Sequence, residues 1–504
     1  MSSTAILLVL IFYFALLMFI AQVTGKKGDN DTFFTGNKTS PWYLVAFGMI
    51  GASLSGVTFI SIPGAVESDG FSYMQMVLGY LVGYVVIAQV LIPMYYKLKL
   101  TSIYGYLQER FGFWSYKTGA GFFLLSRIIG ASFRLYLVAF VLDAFVFAPW
   151  NIPFWVTVAL TIVLIWLYSF KGGIKTIVWT DTLQTTFMLL SVGFAIYFIS
   201  SELDWSMGEM IQKISSSELS NTFVWDVGKG NYFFKHFFSG MFITIVMTGL
   251  DQDMMQKNLT CKNHKEAQKN VRWMSIALVP VNLIFLALGA LLYLYGTEKG
   301  IVSLEAVDNF PIQIINPETG LFEGIRRDQL FPSLAINYMG PVVGLVFTVG
   351  LIAAAYSSAD SALTALTTSF CVDFLGFKEG EERIKERYMV HIGFSLVLFL
   401  VIIIFKSLHN ESLITTLFKA AGYTYGPLLG LYAVGLFSKI KPMDKWVPYI
   451  ALVSAISCYF INIWLENSME VKLGFMILLL NGAITAILLW ISSRLKPDTS
   501  KYPN

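Results

Sequence analysis

An all-α, polytopic membrane protein is the fold class this sequence predicts, on three observations. Hydrophobic residues make up 56% of the 504 and charged residues only 13%, about half the charge of a soluble domain. The apolar residues gather in runs of about 20, the length a helix needs to cross a hydrocarbon core. Basic residues between the runs fall in alternate loops, which is the signature of repeated crossing.

Thirteen runs are expected to form spans. Spans 1 to 5 lie at 4–23, 42–63, 71–96, 118–147 and 152–170, and spans 6 to 9 at 174–199, 233–256, 273–295 and 338–374. Spans 10 to 13 lie at 388–406, 411–438, 446–465 and 471–492. The first run lacks a basic leader and is as long as a full span, so it reads as a retained helix rather than a cleaved signal. One set of loops carries Lys26, Lys27, Lys97, Lys99, Arg110, Lys171, Lys175, Lys262, Lys265, Lys269, Arg272, Arg383, Lys385, Arg387, Lys439, Lys441 and Lys445. The alternate loops, such as Glu67-Ser68-Asp69-Gly70 and Pro149-Trp150-Asn151, carry almost none, Lys406 excepted. The positive-inside rule then predicts an external N-terminus and a cytoplasmic C-terminus with Arg494 and Lys496. Two longer segments, 201–232 and 298–330, are expected outside as a partial lid. The sequons at Asn37 and Asn258 fall on the inner side and read as chance matches.

Composition excludes several classes. The net charge of +3 is dispersed in short loops, so no nucleic-acid surface is implied. Three scattered cysteines, Cys261, Cys371 and Cys458, suit neither a disulfide framework nor a zinc site. Four histidines and no triad or metal-ligand spacing leave little chemistry for an enzyme. No repeated carbonyl filter suggests a channel, and no signalling domain suggests a sensor.

The chemistry concentrates in span 9 at Ser357-Ser358-Ala359-Asp360-Ser361. Ser357, Asp360 and Ser361 stand at i, i+3 and i+4, so a helix puts three oxygen donors on one face. A lone serine in such a helix back-bonds to a carbonyl one turn earlier. An intramembrane carboxylate beside two hydroxyls points instead to a cation. Span 2 offers the other half. Its Gly48, Gly51 and Gly56, interleaved with Ser53, Ser55 and Thr58, serve either close helix packing or a discontinuous helix whose freed carbonyls hold an ion. The two spans run oppositely and reach mid-membrane near Gly51 to Ser55 and near Ser357. Asp181 in span 6 comes to a similar depth, with Lys175 as a structural partner or a cation as a ligand. Carbonyls, hydroxyls and carboxylates without His or Cys are hard ligands. Sodium fits them best, with a proton on Asp360 or Asp181 as the rival.

Several motifs resemble the sodium:solute symporter family. They are Phe33-Phe34-Thr35-Gly36-Asn37 with Pro41-Trp42, the run to Pro63-Gly64, Leu100 to Leu107 with Glu109 to Gly112, and Gly172-Gly173 leading to Trp179-Thr180-Asp181. Gln252 to Gln256, Ala353 to Ser358 and Gly426 to Gly430 continue the likeness. The resemblance implies a LeuT-like inverted repeat of five plus five spans, with one extra N-terminal and two extra C-terminal helices. Its parts would be 1–40 (the extra span and an inner loop), the halves 41–200 and 233–438, and 439–504. It implies a shared sodium site on the carbonyls of Gly51, Leu54 and Ala354 and the hydroxyls of Ser357 and Ser358. A second site, as in the similar sialic acid symporters, would use Asp181, Ser357 and Ser361, with Asp360 standing where those carry serine. Span 7 would mirror span 2, with its weak point at Met247-Thr248-Gly249.

The expected function is sodium-coupled symport of a small solute by alternating access, in a bacterial inner membrane and as a monomer. Arg127 and Arg134 share a face of span 4 and are costly in a membrane unless they meet carboxylates such as Asp143, Asp251 or Asp253, or an anionic solute. With Lys419 in span 11 they favour an acidic sugar or a monocarboxylate over a neutral sugar, amino acid or vitamin. Ser53, Ser55, Thr58, Tyr73, Gln75 and Gln252 complete the expected solute contacts.

Overall fold

The computed structural model describes residues 3–26, 28–143, 147, 150–378, 380–408, 413–469 and 473–495. Lys27, Pro149, Lys496, residues 144–146 of the span expected at 118–147 and the first two residues of the spans expected at 411–438 and 471–492 lie outside these. Each expected span falls on a helix or a bent pair of helices. In chain order these are α1 (Ser3–Thr24), α2 (Trp42–Asp69), α3 (Tyr73–Lys97), α4 (Phe113–Leu142), α5 (Phe154–Ser169) and α6 (Ile174–Glu202). Next come α7 in two arms (Phe233–Gly249 and Gln252–Leu259), α8 (His264–Glu298) and α9 (Gly340–Phe374). The last are α10 (Ile384–Leu408), α11 (Leu413–Phe437), α12 (Val447–Met469) and α13 (Ile477–Arg494). Among the described residues nine helices are long and apolar enough to cross a membrane alone, and the bent pairs α2 and α7 raise this to eleven. α5 is only 16 residues long.

Two breaks shape the centre. In α2 the arms Trp42–Gly56 and Thr58–Asp69 meet at 57°. The break sits on Ser55, whose φ of 54° and ψ of 166° are unhelical. A non-glycine residue there costs about 1–3 kcal/mol and persists only where surrounding packing imposes it. In α7 the arms meet at 64° after a π turn over Ile245–Gly249, which includes the weak point expected from sequence. The Asp251 carboxylate caps the second arm by accepting from the Asp253 and Met254 amides.

Small residues allow the breaks to approach their neighbours. α2 packs on α6, α8 and α9. A Cβ on Gly56 would stand 3.1 Å from that of Ala355 in α9, so the broken turn lies directly on the serine-bearing helix. α3 packs lengthwise on α7, where Gly79 faces the backbone of Phe237 with no room for a side chain. α9 is buried along most of its length from Val343 to Ser369, polar residues included.

The two long segments meet over one end of α2. One holds the helix Met207–Ser216 and gives the Asn221 carbonyl to the Phe71 amide. The other holds an antiparallel sheet of β1 (Val302–Ser303), β2 (Ile312–Ile315) and β3 (Phe322–Ile325). Beyond the sheet, Arg327 Nε lies 2.7 Å from Glu67 Oε2 near the α2 terminus. Gln75 belongs to this junction. It donates to the carbonyls of Ser72 and Asn231 and accepts from the Val224 amide.

Gly79→Val is expected to lower the melting temperature of the purified protein by several degrees, since overpacking against fixed backbone costs about 1–3 kcal/mol. A thermal-shift measurement showing no change would mean that α3 and α7 are less closely packed.

Candidate functional site

Gly51 and Leu54 stand in the last turn before the α2 break at Ser55, and the carbonyls at a helix end commonly lack intrahelical partners. The break in α7 treats its carbonyls differently: Tyr95 Oη donates to Gly249 at 2.8 Å and Tyr104 Oη to Leu250 at 3.1 Å. Among the described residues no side chain donates to the Gly51 or Leu54 carbonyl. In α9, which packs on α2, Ser358 Oγ is buried and has no hydrogen-bond partner. Buried hydroxyls are normally paired, and Ala354 lies one turn before Ser358 on the same helix. The arrangement therefore holds carbonyls that no side chain engages on one helix and a hydroxyl without a partner on its neighbour. Oxygens of this kind are hard donors, the chemistry that suits a monovalent cation.

Around Asp181 and Asp360 the polar side chains are engaged. Ser357 Oγ donates to Asp181 Oδ1 at 2.8 Å. The other carboxylate oxygen, Asp181 Oδ2, lies 2.7 Å from Nζ of Lys257, with both side chains 1% exposed. Lys257, on the second arm of α7, takes the part that Lys175 was expected to play. Ser361 Oγ does not reach Asp181. It donates to the Ser357 carbonyl at 2.7 Å and toward Asp253 Oδ2 at 3.4 Å. Asp360 accepts from Tyr168 Oη at 2.8 Å and from the Ser361 amide.

Beside the α2 break lies a cavity of about 90 Å³, lined by Ser53, Ser55, Thr58, Tyr73, Arg127 and Arg134 among the expected contacts. Tyr80, Tyr84, Thr248 and Asn282 line it as well; they escape sequence reasoning because isolated polar residues in apolar runs carry no spacing signal. The two arginines differ. Arg127 is in contact with Asp253 and stands 3.7 Å from Asp251, which also accepts from Tyr425. Arg134 is buried, makes no ion pair among the described residues, and its Nε has no hydrogen-bond partner. Asp143 is instead bonded to Thr157 at 3.2 Å.

Three expected contacts stand elsewhere. Gln252 accepts from the Ile103 amide and donates to the Thr101 carbonyl, pinning α7 to the loop after α3. Gln75 is spent on the junction described above. Lys419 lines a separate cavity of about 390 Å³ with Asp69, Asn231 and His236. Tyr73 lines both cavities and is hydrogen-bonded to Tyr80 at 2.8 Å.

Comparison with known proteins identifies the family and the fold. The sodium:solute symporter family model matches residues 33–440. The sodium/sialic acid symporter NanT of Aliivibrio fischeri is 24% identical over 92% of this chain and 88% of its own length. SiaT of Proteus mirabilis is 24% identical over 98% and 97%. The sodium-coupled monocarboxylate transporter 2 of Bos taurus is 23% identical over 89% and 69%. Among solved structures, a sodium-coupled sialic acid symporter in a substrate-bound outward-open state superposes with a TM-score of 0.79 at 20% identity, covering 97% of this chain and 98% of that one. The nucleobase-cation symporter Mhp1 in a closed conformation gives a TM-score of 0.54 at 15% identity, covering 92% and 94%. At these identities the superpositions establish the fold, which is LeuT-like. The chain belongs to the sodium:solute symporter family, and is a multi-pass membrane protein that couples the movement of a small solute to sodium.

Proposed function

We propose that this chain imports a small organic anion with sodium across a bacterial cytoplasmic membrane, and that it does so without catalysis, as a monomer. The observation that carries the anionic solute is Arg134, a guanidinium without an ion pair among the described residues, on the wall of a buried cavity. A cation so placed is costly until an anion joins it. Arg127 serves the protein, since Asp251 and Asp253 already answer its charge. The relatives named for sialic acid and for monocarboxylates support an acidic solute. The cavity of about 90 Å³ is well below the 300–1,000 Å³ typical of drug-sized ligands. A short monocarboxylate fits it as it stands, whereas an acidic sugar requires Tyr73 and Tyr80 to part toward the larger cavity.

Sodium is assigned to the Gly51, Leu54 and Ala354 carbonyls with Ser357 and Ser358. Ser357 shares its hydroxyl with Asp181, and a hydroxyl that donates to a carboxylate keeps lone pairs for an ion. The two halves 41–200 and 233–438 each open on a bent helix, α2 and α7, which supports the inverted repeat between 1–40 and 439–504. The alternation of basic loops supports an external N-terminus. Sodium drives the cycle because it favours the arrangement in which α2 and α9 touch, and the membrane potential adds about 2.3 kcal/mol per charge per 100 mV.

In proteoliposomes, Ser358→Ala is expected to raise the sodium concentration for half-maximal uptake at least several-fold in folded protein; an unchanged value removes the α2–α9 site. Arg134→Met is expected to abolish competition by monocarboxylates and acidic sugars while the protein stays folded. Arg127→Met is expected to cost about 3–5 kcal/mol of stability by stranding Asp251 and Asp253. If both arginine variants fold equally well and only Arg127→Met loses solute, their roles are reversed.

A further inference from the structure

We propose that Lys257 is a built-in counter-cation at Asp181, so that this transporter binds one sodium ion, at the α2–α9 site, and no second ion at Asp181. This rests on the sodium symporter reading and extends it to the number of ions. The Asp181 carboxylate meets Ser357 Oγ through one oxygen and Lys257 Nζ through the other. The ammonium thus takes the carboxylate oxygen that Ser357 leaves free and neutralises the charge that would draw a second cation. It is a compact point charge of the same sign and size class as a monovalent metal ion. Neither partner has another answer to its charge. Both side chains are 1% exposed, and among the described residues Lys257 makes no other ion pair.

The remaining candidate ligands are also committed. Ser361 has turned to the Ser357 carbonyl and Asp253. Both oxygens of Asp360 accept hydrogen bonds, from Tyr168 and the Ser361 amide. A sodium ion entering here must displace the ammonium and leave it buried and unpaired, a penalty of several kcal/mol. The lysine also joins three elements, holding the second arm of α7 to α6 and, through Ser357, to α9. The resident charge therefore stays with the protein through the cycle.

The test is equilibrium binding of radiolabelled sodium to purified protein in nanodiscs, with no solute present. Wild type and Lys257→Arg are each expected to bind one ion per chain. Lys257→Met uncovers Asp181 and is expected to bind two, and the double variant Lys257→Met/Asp181→Asn to return to one. Because Lys257→Met strands a buried carboxylate, the charge-neutral double variant supplies a second arm should the single variant misfold. Two ions in wild type, one in folded Lys257→Met, or none in the double variant would each overturn the proposal. No sodium binding by wild type at any concentration would instead remove the symporter reading beneath it, and loss of binding in Ser358→Ala separates the two cases by locating the single ion.

Discussion

The structure depends on one contact, the seating of the interrupted turn of α2 on the small-residue face of α9. A broken helix inside a membrane leaves carbonyls that neither lipid nor the helix itself can satisfy, at several kcal/mol each. Gly56 against Ala355 brings those carbonyls to a helix that presents hydroxyls at the same level. Ser55 holds a strained backbone because α6, α8 and α9 enclose the break on several sides. The break is therefore a place where backbone strain is held by packing. α7 shows the alternative, since its break is closed by tyrosine hydroxyls on Gly249 and Leu250 and offers nothing to an ion.

Around that contact the buried charges sort themselves into pairs. Asp181 with Lys257 and Asp251 and Asp253 with Arg127 form a second layer that ties α7 to α6 and α4. Isolated buried charges are unstable, and paired ones mainly secure geometry rather than add net stability. The consequence is a scaffold of fixed length between the arm of α7 and the ion-bearing face of α9. Arg134 is the exception within this layer, and it faces the cavity.

Much of this was legible in the sequence. Apolar runs marked where the long helices lie, nine of them, or eleven with the bent pairs, long and apolar enough to span among the described residues, and oxygen-bearing side chains at helical spacing singled out Ser357, Asp360 and Ser361. Glycines interleaved with serines marked the α2 break, because both a weak helix and a close approach need small residues. Long-range pairing was not legible. Lys257 follows Gln256 at the inner end of a span and reads like any loop lysine; only the bend after Gly249 turns it inward to Asp181. Gln75 and Gln252 look like solute ligands because intramembrane amides must bond to something. Their partners are backbone groups of loops whose path no periodicity encodes. Arg127 and Arg134 are indistinguishable by spacing, and their different roles depend on Asp251 and Asp253 arriving from another helix.

On the proposed assignment of sodium to the α2–α9 carbonyls and hydroxyls, this division of labour explains how the site can release its ion. A cation held by unpaired carboxylates would bind too tightly to leave once per cycle, and its affinity would follow net charge rather than conformation. Here the carboxylates near α9 are already answered by lysine, arginine and tyrosine. The ligands left for sodium are neutral carbonyls and hydroxyls, each weak alone and effective only together. They come from two helices, so moving α2 away from α9 removes about half of them at once. A modest displacement of one helix is then sufficient to convert an occupied site into an empty one, which is the property that coupling by alternating access demands.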